Sequence, residues 1–321
     1  MKSATLIYSS AAGRFPAEPL IEGAARLLNK AGWTTKVKYV YVRDDLERLS
    51  EEAIDEGQSA VFVIGGDGSV GTIAASLSGS DTALSVLPAG TANVWAKELG
   101  LRGVDWFHRQ ALDGAAAGLA EPDVRLIDGG EINGRKFLLW GGVGLDAAVV
   151  SRVEPRERWQ KALAIPFYTG AALYIAFGWR GIELRVEIGG VRFEGRYMIA
   201  IASNIPSYAG GLIDLAEEAK IDDGLLDFWL IQGDNFRDVI SQTYSLLRGS
   251  HKRSSSVDHL QSDHAIFHTF ANVPVLLDGE TMEMQSPLEF KVHKQVLKIL
   301  VPRELESGLF MTQEVESLDH L

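Results

Sequence analysis

A parallel α/β domain followed by a β-rich domain, built as a sandwich, is the fold this sequence predicts. Three observations carry the prediction. In the first third of the chain, short apolar runs alternate with helical stretches, as in a sheet covered on both faces. After about residue 125 the pattern changes to strand-like runs separated by Gly, Pro, Asn and Asp. Finally, two polar glycine-containing segments of the first third, GGDGS and PAGTAN, fall at the carboxyl ends of apolar runs, where open α/β sheets hold their ligands.

The elements follow in order. ATLIYS reads as a strand, EPLIEGAARLLNKAG as a helix stopped by glycine, and TTKVKYVYV as a strand. DDLERLSEEAIDEG has an acidic start and a glycine stop, so it reads as a helix, and AVFVI as a buried strand. SVGTIAASLSG is expected to be a helix, ALSVLP a strand and TANVWAKELG a helix. In the second part FLLWGGVG, IELRVEI, RYMIAIAS, LLDFWLI, AIFHTF, VPVLLDGE and LEFKVH read as strands. Only WQKALAIPFYTGAALYIAF and FRDVISQTYSLLRG look helical there. The expected domains are residues 1–127 and 128–302, with a frayed tail over 303–321.

Composition narrows the function. The 321 residues are 46% hydrophobic and 23% charged, as in an ordinary globular protein. A net charge of −12 argues against wholesale binding to nucleic acid or anionic bilayers. The absence of cysteine excludes disulfides and thiolate metal sites and fits a reducing cytoplasm. The apolar stretch in MKSATLIYSSAAG is too short for a signal peptide and reads as a first strand. Residues 162–179 carry no charge and reach the lower limit for a membrane span, but Pro166 and Gly170 interrupt them. A buried core helix is preferred there, with a helix lining an apolar cleft as its functional variant.

GGDGS can bear chemistry. Its glycines leave room for an anion to approach the backbone, and the helix behind it offers free N–H groups to phosphate oxygens. Asp67 in such a loop would repel phosphate unless a divalent cation bridged them, which implies Mg²⁺. Asp-Gly is also a common turn dipeptide, and on this motif alone both readings stay open. The second loop shifts the balance, because Thr91 and Asn93 add a hydroxyl and an amide at a neighbouring strand end. No G-x-x-x-x-G-K-[ST] is present, so the chain is not a P-loop enzyme.

GGDGS, LPAGTAN, GGVGLDA (141–147), IDDGLLDFWLI (221–231) and LDGE (277–280), in that order, resemble the diacylglycerol kinase catalytic-domain family, in its bacterial lipid-kinase branch. The resemblance runs from the first strand to about residue 302. It implies an NAD kinase/phosphofructokinase-like α/β domain that binds ATP, followed by a β-sandwich domain for a lipid. On it, Gly13, Gly65, Gly66, Asp67, Gly68, Ser69, Thr91 and Asn93 fall on the nucleotide site. Asp128 falls on a metal-side carboxylate, and Asp223 with the carbonyls of Lys220 and Leu225 on a structural Mg²⁺ site. Glu280 falls on the general base, a role that phosphoryl transfer to an alcohol requires of some carboxylate. Taken alone, Asp-Gly-Glu would read as a hairpin turn with an exposed acid.

The sequence departs from the family pattern in places. Only Gly13 is kept of the first nucleotide loop, Val94 stands where an acid is frequent, and Gly71 and Thr72 lack the usual amide and acid. His259, His264 and His268 lie across strand-like sequence and form a weak metal candidate. Arg248, Lys252 and Arg253 in one loop, and Arg152, Arg156, Arg158 and Lys161 before the apolar helix, are candidates for contact with anionic headgroups at the inner membrane face. The resulting expectation is an ATP- and Mg²⁺-dependent kinase acting on a lipid hydroxyl. A kinase of a soluble alcohol or NAD and a non-catalytic lipid binder are its rivals.

Overall fold

The computed structural model describes residues 2–9, 17–41, 45–104, 110–153, 174–303, 305 and 308–311. The chain forms two compact units, the first made of residues 1–128 and 294–321, the second of residues 129–293.

The first unit opens with β1 (Ser3–Ser9), α1 (Glu18–Lys30), β2 (Thr34–Val40), α2 (Asp45–Asp55) and β3 (Ala60–Gly65). It continues with α3 (Asp67–Leu77), β4 (Ala83–Pro88), α4 (Val94–Glu98) and α5 (Ala111–Gly118). Helix α1 buries Ile21, Ala24, Ala25 and Leu28, the one-sided spacing of an amphipathic helix. Strand β3 is buried along its whole length, as a central strand covered on both faces must be. Pairing is parallel throughout, β2 beside β1, β1 beside β3 and β3 beside β4.

Two later strands cross between the units along the chain: β5 (Asp123–Ile132), and the last strand among the described residues, which ends at Val301. The second unit holds β6 (Arg135–Phe137), β7 (Trp140–Gly144), α6 (Leu145–Val153), β8 (Ile182–Ile188) and β9 (Val191–Ser203). It goes on with β10 (Ser207–Tyr208), β11 (Ile213–Asp214), β12 (Leu226–Gln232), α7 (Phe236–Leu247), β13 (Val257–Ser262) and β14 (His264–Thr269). Last come β15 (Pro274–Leu277), β16 (Glu280–Glu283) and β17 (Leu288–Val301). Here the pairing is antiparallel, in the order β16-β15-β7-β9-β8-β14-β17, with β12 joined to β9 and β13. Phe228, Phe267 and Phe290 anchor its core, the first and last edge to face at 5.6 Å between ring centroids.

The fold class is as expected, and the differences have physical causes. The second unit ends at His293 rather than at 302, because Ile299 of β17 pairs in parallel with Leu84 and so completes the first sheet. The described part of the tail is held: Leu309 is buried, and Arg303 pairs with Glu121 at 3.1 Å. Helices α5 and α6 were not anticipated. The Ala- and Gly-rich α5 has little periodic contrast, and α6 follows the strand-like WGGVG without a loop. Of the apolar segment 162–179, residues up to 173 lie outside the described residues, as do Arg156, Arg158 and Lys161. Among the described residues no helix is long and apolar enough to cross a membrane.

Candidate active site

Strand β3 delivers its glycines where expected, but the helix begins two residues earlier than its sequence suggested. Gly66 is the extended residue before the first helical turn, and Asp67 is the first residue of α3. An acid there is favoured by the partial positive charge of the helix start. The N–H groups of residues 67–69 precede the first intrahelical bond, which Val70 N–H makes to Gly66 O at 3.0 Å.

The second loop is pinned to the first. Ala89 and Gly90 N–H both donate to Gly65 O at 3.0 Å. A Cβ on Gly90 would lie 2.4 Å from Gly66 Cα, so two backbones meet where no side chain fits. Asn93 adopts a left-handed conformation (φ 51°) and turns its amide back on the loop. Its Oδ1 accepts Gly90 N–H at 2.8 Å and its Nδ2 donates to Gly90 O at 3.1 Å. Across the same junction Asp67 Oδ1 accepts Trp95 N–H at 3.0 Å, which holds the start of α4. Burial pushes the Asp67 carboxyl above the ordinary range, and the Trp95 and Val94 amides oppose that rise. Thr91 is exposed, Ser69 is half-buried beside Gly65, and Val94 is buried at the head of α4. Thr72 donates its hydroxyl to Gly68 O at 3.0 Å within α3.

Asp128 is buried, and its Oδ1 accepts Gln295 N–H at 2.7 Å. Gln295 has a positive φ (48°), so this carboxylate fixes an irregular point of β17. That bond gives Asp128 a structural task at the junction of β5 and β17. Gly13 lies outside the described residues.

In the second unit Glu280 opens β16, across a two-residue hairpin from Leu277. Asp278 and Gly279 both have positive φ (47° and 88°), the geometry of a tight type I′ turn. The DGE segment is therefore a hairpin turn, and its Glu280 is half-buried. The buried acid is Asp278: its carboxylate accepts Leu138 N–H at 2.8 Å, Leu139 N–H at 2.7 Å and Trp140 N–H at 3.2 Å. This bracing of the hairpin was not read from the sequence, where Asp278 counted only as the residue before a glycine.

A second unanticipated pair lies near it. Tyr208 donates its hydroxyl to Asp146 in the first turn of α6, and its ring meets Trp140 edge to face at 5.7 Å. Burial pushes both groups up, the Tyr208 hydroxyl well above its ordinary range. Helix α6 packs on β15 and β16, so this pair and Asp278 both support the hairpin that carries Glu280. The signal was present in GGVGLDA, an acid two residues after a glycine strand end, but nothing in the sequence paired it with a tyrosine.

Asp223 sits in the turn before β12, and one of its oxygens accepts Leu225 N–H at 2.9 Å. Lys220 and Leu225 flank it, both partly exposed. His259 bonds Asp227 at 2.6 Å and His264 bonds Glu289 at 3.1 Å, so these histidines serve separate partners. Among the described residues no group of three or more His, Asp or Glu side chains is disposed to hold a metal.

The architecture defines a parallel α/β unit into which an antiparallel β unit is inserted, and comparison with known proteins gives that class a family. Residues 3–131 match the profile of the diacylglycerol kinase catalytic domain, and residues 142–301 match the YegS C-terminal NAD kinase beta sandwich-like domain. The chain belongs to the diacylglycerol kinase catalytic-domain family. It is 24% identical to a diacylglycerol kinase of Bacillus subtilis strain 168, over 95% of this chain and 98% of that one. It is 27% identical to a "probable lipid kinase YegS-like" protein of Pseudomonas aeruginosa PAO1, over 88% and 89% of the two chains. The fold is shared with a crystal structure of a diacylglycerol kinase from Bacillus anthracis strain Sterne, at TM-score 0.70 and 17% identity over 95% of this chain and 98% of that one.

Proposed function

We propose that the chain is a lipid kinase that transfers the γ-phosphoryl group of ATP to a lipid hydroxyl with Mg²⁺ as cofactor. The observation that carries the proposal is the glycine cradle. Gly66 and Gly90 meet with no space for a side chain, beside the N-terminus of α3 and the carboxylate of Asp67. A surface of bare backbone at a helix start is suited to phosphate oxygens. One acid beside it suits Mg²⁺, which is usually held by one or two carboxylates together with substrate phosphates. The family assignment and the names of the relatives support the same reading.

In this proposal Gly65, Gly66, Gly68, Ser69 and Thr91 line the nucleotide, with Gly13 as the family's further contact. Asn93 acts by shaping the loop, since its amide is spent on Gly90. Magnesium bound with ATP would neutralise charge on the phosphates and offset the cost of ionising Asp67. Glu280 accepts the proton of the acceptor hydroxyl. A second Mg²⁺ at Asp223 and the carbonyls of Lys220 and Leu225 would brace the turn before β12.

Transfer of labelled phosphate from ATP to a panel of detergent-dispersed lipids, with Glu280→Ala alongside, tests the proposal. A labelled lipid that disappears in the variant supports it. Transfer only to a soluble alcohol or to NAD, or lipid binding without transfer, overturns it.

A further inference from the structure

Helix α7 shows an unusual surface. Its buried side carries Val239, Gln242 and Leu246, which seat it on the second unit. Turned away from these, at the spacing of one helical stripe, are Ile240, Tyr244 and Leu247, exposed by 47%, 59% and 61%. Phe236 begins the stripe, and Phe177, 75% exposed, extends it by meeting the Phe236 ring at 5.8 Å. Soluble proteins scatter single exposed apolar residues, whereas a connected set on one face marks a surface that something covers.

The charge around the stripe says what covers it. The protein carries a net charge of −12, yet Arg237 and Arg248 border the stripe, and Arg253 follows in the next turn. The Arg248 guanidinium stacks over the Tyr244 ring at 5.1 Å, an arrangement that keeps the charge at the apolar edge. Nearby acids have other partners. Asp238 accepts Asp234 N–H and the Asn235 side chain as part of the helix cap, and Glu217 pairs with Lys252 at 3.0 Å.

We infer that the exposed face of α7, with Phe177, docks the protein on an anionic phospholipid bilayer. The stripe would enter the headgroup boundary, with Arg237 and Arg248 at the level of the phosphates. An apolar stripe, a tyrosine and flanking arginines are the composition of an interfacial helix. A second copy on the same face suits the surface less, because the bordering arginines would need acids from the partner and the acids near this face are already engaged. The inference goes beyond the proposed kinase activity and gives it a source of acceptor, a lipid embedded in a membrane.

The test is co-sedimentation of the full-length chain with vesicles of phosphatidylcholine alone and of phosphatidylcholine with phosphatidylglycerol. The wild type is expected to sediment with the anionic vesicles at low salt and to be released as salt rises. Ile240→Ser/Leu247→Ser and Arg237→Gln/Arg248→Gln are each expected to lose binding about tenfold or more, with unchanged melting temperature because these positions are exposed. Wild-type protein that ignores both vesicles, or variants that bind as the wild type does, would overturn the inference. So would a dimer in sedimentation velocity that the apolar double variant dissolves. Phosphate transfer to detergent-dispersed lipid, run on the same variants, separates the two proposals. Variants that lose vesicle binding but keep that transfer support the docking face. Vesicle binding through α7 without any transfer leaves docking intact and removes the kinase.

Discussion

Asp278 and Trp140 grip each other in both directions: Trp140 N–H donates to Asp278 Oδ1 at 3.2 Å, and Asp278 N–H donates to Trp140 O at 3.0 Å. With Leu138 and Leu139 also donating to the carboxylate, the turn before Glu280 is tied to the start of β7. Asp278→Ala should therefore cost stability, about 3 kcal/mol for three orphaned donors to a charged acceptor. Glu280→Gln should change stability by less than about 1 kcal/mol while removing transfer. Denaturant melts and a transfer assay on both variants check this. A silent Asp278→Ala would refute the bracing.

The glycine cradle predicts a sharp contrast between two similar substitutions. Gly90→Ala places a methyl 2.4 Å from Gly66 Cα, so one backbone must move. Nucleotide affinity should fall by about tenfold or more, with about 1–3 kcal/mol of stability lost to overpacking. Gly114→Ala in α5 meets nothing within 4 Å and should raise stability by about 0.5–1 kcal/mol through helix propensity. Nucleotide titration and thermal melts of the pair would decide it.

Asp67 connects function to a cost in stability. Burial raises its pKa, so the folded state disfavours the ionised carboxylate. That penalty is complete above the folded value and fades as pH falls through it toward the ordinary carboxylate range. Asp67→Asn keeps an acceptor for Trp95 N–H without the charge. It should melt higher than the wild type at about pH 7.5, by about 2–4 °C per kcal/mol relieved, and the advantage should shrink toward about pH 4. Transfer activity should drop by about 100-fold in the same protein. A variant that melts lower at neutral pH would contradict the sign.

His251 works in the opposite sense. It is buried against Trp229, its Nε2 bonds Leu215 O at 3.1 Å, and its Nδ1 has no partner among the described residues. Burial lowers its pKa, aided by Lys252 and His259 and opposed by the Leu215 bond and Glu217. The stability tied to a neutral ring is complete above the ordinary histidine value of about 6.5 and is lost as pH falls through it. His251→Phe should melt below the wild type at about pH 7.5 but close that gap by about pH 5.5, because it lacks the titration. Parallel curves for the two proteins would assign the acid sensitivity elsewhere.

What the sequence could and could not disclose follows from the range of the interactions. The parallel sheet was legible because β1, β3 and β4 are short, mostly apolar runs bounded by helical stretches. Asp67 was legible because its glycine neighbours announce a backbone that something must approach. Asn93 was found but not its direction, which depends on a left-handed backbone. Asp278 bonds residues 138 to 140 positions away, and Asp146 a residue 62 positions away. Local pattern carries no trace of such partners. Asp128 drew attention as a carboxylate, yet its partner is a backbone amide 167 residues on, which only the fold reveals.

The return of β17 to the first sheet sets an order on how the protein can be made. The strand that pairs with β4 comes from residues after 293, so a ribosome must emit the whole second unit before Leu84 finds Ile299. Until then β4 stands as an open edge, exposed to pairing with other chains. A chain terminated before residue 294 would keep that edge for good. Completion of the first unit's sheet thus waits on residues that follow the entire second unit in the chain.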